Sequence, residues 1–96
     1  MNTRFIIVAE TYTAVPGDLI QADTTTAAFT ITLPSIVSIG DVIEIQDAKL
    51  SWNTHNLTLN RNGNLLNSGT SNYTANVQGG KLSIVFCGGT IGWSVK

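Results

Sequence analysis

Charge is what this chain has least of. Only 11% of its 96 residues are Asp, Glu, Lys or Arg, against about 25% in an average soluble domain. The net charge is −1, and the five cations (Arg4, Lys49, Arg61, Lys81 and Lys96) are scattered. Nucleic-acid binding needs a clustered positive footprint, so no nucleic-acid partner is expected. Cysteine is nearly missing. Cys87 stands alone, which excludes an intrachain disulfide, and after Phe86 in an apolar run it reads as a small strand residue rather than a nucleophile. Histidine is as scarce: with His55 and Cys87 the sole ligands of their kind, a zinc site within one chain would need remote carboxylates. No metal or other cofactor is expected. The longest apolar run, residues 5–9, is far short of the ~20 residues of a spanning helix and of a secretion leader. No membrane partner is expected, and neither is export.

Catalytic patterns are missing too. There is no G-x-S-x-G elbow and no glycine-rich phosphate cradle. Nothing in the spacing of Glu10 and Glu44 brings them across a groove as a glycosidase would require. Asp18, Asp23, Asp41 and Asp47 sit beside turns without the alternating spacing of a calcium loop. The chain is therefore not expected to be an enzyme. Apolar spacing of three and four never persists over two helical turns, so no helix of ordinary length is expected.

What is present is alternation. The chain is organised around residues 29–47, FTITLPSIVSIGDVIEIQD. Phe29, Ile31 and Leu33 alternate with Thr30 and Thr32, and Ile43 and Ile45 alternate with Glu44 and Gln46. A period of two puts one set on a dry face and the other on a wet one. Pro34 ends the first strand because it cannot donate to a ladder, and residues 41–47 read as its partner strand. Similar alternation places Leu57 and Leu59, Tyr73, Ala75 and Val77, Leu82, Ile84 and Phe86, and Trp93 and Val95 on further strands. Pro16-Gly17-Asp18, Asp23-Thr24-Thr25-Thr26, Gly79-Gly80 and Gly88-Gly89 mark turns, with Asp23 placed to bond its own downstream backbone as an Asx-turn. Asn62-Gly63 is a two-residue hairpin signal, with residues 64–67 as a return strand. Residues 48–55 read as a crossing loop with Trp52 as a lid on the core. The expected fold is all-β, a small antiparallel β-sandwich or partly open barrel, in one domain over residues 1–96.

Two apolar segments lack an obvious place in such a core. Phe5-Ile6-Ile7-Val8 is apolar on consecutive residues, so both faces want cover. Residues 1–11 are either a central core strand or an N-terminal arm packed on, or exchanged with, a neighbouring subunit. Residues 34–40, PSIVSIG, are either tucked over one end of the core or placed at a subunit contact. Low charge also leaves strand edges without the lysines that usually discourage pairing between molecules.

Taken together, residues 12–34 (YTAVPGDLIQADTTTAAFTITLP), 40–48 (GDVIEIQDA), 56–63 (NLTLNRNG) and 88–96 (GGTIGWSVK) resemble a small β module of tailed-bacteriophage virion proteins. That module occurs as head decoration (cement) proteins and within tail fibres and spikes. The resemblance covers about four-fifths of the chain and is weakest over residues 64–80. It implies a non-enzymatic homotrimer, made in the bacterial host cytoplasm and placed on the outer surface of the virion head. There it would bind the major capsid protein at threefold or quasi-threefold positions and stabilise the shell. No coiled coil or other stalk is legible between residues 1 and 96, which favours the head over a fibre. Arg4, Phe5, Ile6, Ile7, Ile36, Val37 and Ile39 are the expected capsid or subunit interface. The alternative is a tail-fibre or knob receptor-binding module contacting a host surface glycan, which an exposed aromatic at Trp52 or Tyr12 would favour.

Overall fold

The computed structural model describes residues 4–95, with Arg4 described by its backbone alone. Nine strands run in chain order: β1 (Arg4–Val8), β2 (Tyr12–Thr13), β3 (Asp18–Ala22), β4 (Phe29–Thr32), β5 (Val42–Asp47), β6 (Leu57–Asn60), β7 (Tyr73–Ala75), β8 (Lys81–Phe86) and β9 (Trp93–Val95). They form two sheets, one ordered β1-β3-β5-β8-β9 and the other β2-β4-β6-β7. The two sheets enclose one core.

The all-β expectation holds, but the sheets are mixed rather than antiparallel. From β1 to β6 the chain steps from one sheet to the other at every strand. β1, β3 and β5 therefore stack in parallel, as do β2, β4 and β6. A parallel neighbour requires a crossover, and here each crossover is the strand in the opposite sheet. The first two-thirds of the chain is thus a short coil of three turns. The last third reverses direction: β7 runs antiparallel to β6, β8 to β5, and β9 to β8. The strand-turn-strand reading of residues 29–47 fails on the same point. β4 and β5 lie in opposite sheets and face each other across the core instead of pairing.

Alternation placed the inward side chains correctly in most cases. Ile31, Leu33, Ile43, Ile45, Leu57, Leu59, Leu82, Ile84, Phe86 and Trp93 are all buried, while Phe29 is half-buried against them. Trp52 is buried as well and packs into the same cluster. Phe86 and Trp93, paired across β8 and β9, meet edge to face with ring centroids 5.4 Å apart, the arrangement that aromatic quadrupoles favour. Val77 departs from the pattern and is exposed, because β7 ends at Ala75.

Asn62 and Gly63 both take positive φ, 52° and 88°, as the hairpin signal required. Residues 64–67 nevertheless form no return strand. The segment is a loop in which Leu66 bridges Gly69 and Trp93, and the strand that returns along β6 is β7. Asp23 makes the expected Asx-turn, accepting the Thr25 backbone N–H at 3.0 Å.

Candidate interaction surface

The two ends of the sheets are built differently. At one end the turns after β2, β4 and β8 converge, and aliphatic side chains stand in water. Ile36 is 91% exposed and Ile39 78%, with Val15 and Ile91 partly exposed nearby in sequence to the same turns. Ile36 and Ile39 sit on loop 33–41, whose placement follows from its hydrogen bonds. The Asp41 carboxylate accepts the Ser38 N–H at 2.8 Å. Gly40 donates to the Phe86 carbonyl and Phe86 donates to that of Asp41, both at 2.9 Å. Gly40 takes φ 96°, a conformation that costs a side-chain-bearing residue about 1–2 kcal/mol. From the other side Asn62 Nδ2 donates to the Leu33 carbonyl at 3.0 Å, and Asn64 Nδ2 to the Pro34 and Ser35 carbonyls at 3.4 and 3.3 Å. A loop tied at both ends thus holds two isoleucines out of the core.

The opposite end is organised by Asp47 and also exposes two aliphatics, Leu50 at 60% and Val77 at 66%. Its carboxylate accepts backbone N–H groups from Ser51, Trp52 and Gly79, each at 3.0 Å. Burial alone would push this carboxyl up; the N–H groups of Ser51, Trp52, Gly79 and Lys49 outweigh it and hold it below the usual carboxylate value. Around it, Thr24 and Ser51 share a hydroxyl hydrogen bond of 2.8 Å, and His55 Nδ1 donates to the Thr24 carbonyl at 2.8 Å. Asn56 donates to the Trp52 carbonyl at 2.7 Å. Trp52 is fixed by this network, with its indole N–H directed at the Ala22 carbonyl at 3.4 Å. The Asp23 carboxyl also lies below its usual value, held down by the Thr25 hydroxyl and then by the Thr25 N–H. These carboxylates organise turns: among the described residues no three His, Cys, Asp or Glu side chains come together as a metal site would need.

The residues expected at an interface divide into two groups. Phe5 and Ile7 are exposed on the outer face of β1, and Ile36 and Ile39 on loop 33–41. Ile6 and Val37 are half-buried and pack against the core. In β1 the period of two turns Ile6 inward, opposite buried Ile20 of β3. The Arg4 side chain lies outside the described residues. Sequence reasoning missed Leu19, which is half-buried and paired with Phe5 on the same outer face. A shallow groove of about 200 Å³ runs beside it, between Phe5 and the polar side chains of Gln21, Glu44, Gln46 and Lys81.

The aromatics that a glycan site would use are placed otherwise. Trp52 is 1% exposed, and Tyr12 is half-buried, its hydroxyl donating to Asp18 at 2.9 Å. Cys87 is exposed just beyond β8 rather than within a strand. No helix among the described residues is long and apolar enough to cross a membrane. No protein-family model matches the chain, and no curated protein matches it in sequence.

Proposed function

We propose that this chain is a bacteriophage virion structural protein, a homotrimeric capsid decoration protein that binds the outside of the head and stabilises the shell. The observation that carries the reading is the pinned loop 33–41. A chain with 11% charged residues spends hydrogen bonds from Asp41, Asn62 and Asn64 to hold Ile36 and Ile39 in water. Exposed aliphatics on a fixed loop, together with Phe5 and Ile7 on β1, which pairs with β3 alone among the described residues, suit burial against other subunits. Several modest contacts of this kind per assembly give tight attachment through avidity. The major capsid protein is the partner, and the role needs no catalytic residue and no cofactor. Burial of Trp52 takes away the aromatic platform that a glycan-binding tail module would use.

Co-sedimentation with phage heads stripped of the protein, and in parallel with host cells, tests the reading. Saturable binding to heads and none to cells is expected. Binding to cells and none to heads would overturn it and move the protein to the tail.

A further inference from the structure

β1 is apolar on both faces and lies at the edge of its sheet. Ile6 and Val8 face inward but are only half-covered, while Phe5 and Ile7 face outward at 63% and 68% exposure. Its partner is β3 alone, and among the described residues no strand lies along its other side. Strands usually guard such an edge with Lys, Pro or a bulge. Residues 5–8 are Phe, Ile, Ile and Val, in an unbroken ladder with β3.

We propose that β1 pairs antiparallel with β1 of a second copy of this chain, about a twofold axis at Ile6. Phe5 and Ile7 stand symmetrically on either side of Ile6. An antiparallel register centred there sets Phe5 opposite Ile7 of the second copy, twice, on the outer face. It also sets the two Ile6 residues side by side over the half-covered flanks of both cores. Directly opposed apolar pairs stabilise a ladder, and neither Phe5 nor Ile7 carries a charge. A foreign strand would satisfy the backbone edge but would have to bring its own apolar pair two residues apart. This chain already carries that pair in the matching order.

The area sets the strength. Phe5 and Ile7 leave roughly 250 Å² in water, taking side-chain areas of about 150–250 Å². Two copies together bury about twice that plus the strand edges, below the ~1,200 Å² at which stable interfaces begin. The pairing is therefore weak and concentration-dependent alone, and gains from repetition on a lattice. It does not rest on the virion reading; on a shell it would join neighbouring threefold units rather than hold one together.

Sedimentation velocity from ~10 µM to ~1 mM spans the expected affinity. The wild-type mass should double across that range, and Phe5→Lys/Ile7→Lys should stay at the lower mass with an unchanged circular dichroism spectrum. A Phe5→Cys/Ile7→Cys variant in a Cys87→Ser background tests the register even if the lysine variant misfolds. Mild oxidation should link it into covalent pairs, and Ile36→Cys in the same background should not link. A wild type whose mass stays constant throughout, at that of one chain or of a threefold unit, or association untouched by the lysines, would overturn the proposal. Intact pairing without head binding would sink only the decoration role.

Discussion

Replacing Asp47 with Ala removes the acceptor for three backbone N–H groups at once, those of Ser51, Trp52 and Gly79. A hydrogen bond to a charged group contributes about 1.5–3 kcal/mol. The three bonds share one side chain whose own burial is unfavourable, so their worth does not simply sum. Donors left unpaired at a buried site put the expected loss at about 3–5 kcal/mol. Against a total stability of about 5–15 kcal/mol for a domain, that is a large fraction. At about 4–8 °C per kcal/mol for a chain of this size, melting should fall by at least about 12 °C. Urea unfolding followed by tryptophan fluorescence measures it directly, since Trp52 and Trp93 are both buried. Asp41→Ala is the control: its carboxylate accepts one N–H, that of Ser38, where water can replace the lost bond, and it should lose only about 1 kcal/mol. If Asp47→Ala cost no more than Asp41→Ala, the reading of Asp47 as organiser of its end of the sheets would be wrong. The same residue sets a pH limb. Its carboxyl is depressed in the folded state, so its contribution is complete above the unfolded value of about 3.9. It is lost as pH falls through the lower folded value. Asp47→Asn should be less stable than wild type at neutral pH, and the gap should narrow below about pH 4.

Four further outcomes are expected. A Cβ at Gly92, which takes φ 75°, would collide with the Leu65 carbonyl; Gly92→Ala should lose at least about 2 kcal/mol in a thermal melt. Gly63→Ala, at φ 88° with open space around it, should lose only about 1 kcal/mol. Leu59→Ala, in the middle of the second sheet and fully buried, should cost about 2–5 kcal/mol in urea unfolding; a loss below about 0.5 kcal/mol would contradict its core position. Ile36→Lys/Ile39→Lys should leave stability within about 0.5 kcal/mol while abolishing co-sedimentation with heads. Retained binding would separate loop 33–41 from the attachment surface.

Alternation made most of the core legible, because a period of two reports which face a side chain takes. It reports nothing about which strand lies alongside. Ile31 and Ile45 carry the same inward signal whether their strands pair or face each other, and this is why β4 and β5 were read as partners. Nor does alternation carry direction, so the parallel stacking was invisible. Turn chemistry was legible where backbone conformation demanded it, at Asn62-Gly63 and Asp23, and illegible where a side chain far along the chain decides. Asp47 reads as one more turn aspartate; its link to Gly79 crosses 32 positions, and no local pattern announces it. At the candidate surface, an apolar run picked out exposed Phe5 and Ile7 together with inward-packed Ile6, and an apolar loop picked out exposed Ile36 and Ile39 together with inward-packed Val37. In both segments the residue between two exposed neighbours turns back to the core.

The winding between sheets also constrains how the chain acquires its structure during synthesis. Among the first six strands no two consecutive ones are hydrogen-bonded to each other. β1 gains a neighbour only when β3 has emerged, and β3 gains its second only with β5. Only β8 with β9 closes a short loop, from Phe86 to Trp93, while β1 with β3 and β6 with β7 close longer ones of similar length. Closing long loops before any contact rewards them is slow. The nascent chain therefore pairs β1 with β3 early but carries Ile6 and Val8 without their complete core until the later strands have formed. Among the described strands, the one that emerges earliest depends for its cover on those that emerge latest, so β1 needs shielding in the interval.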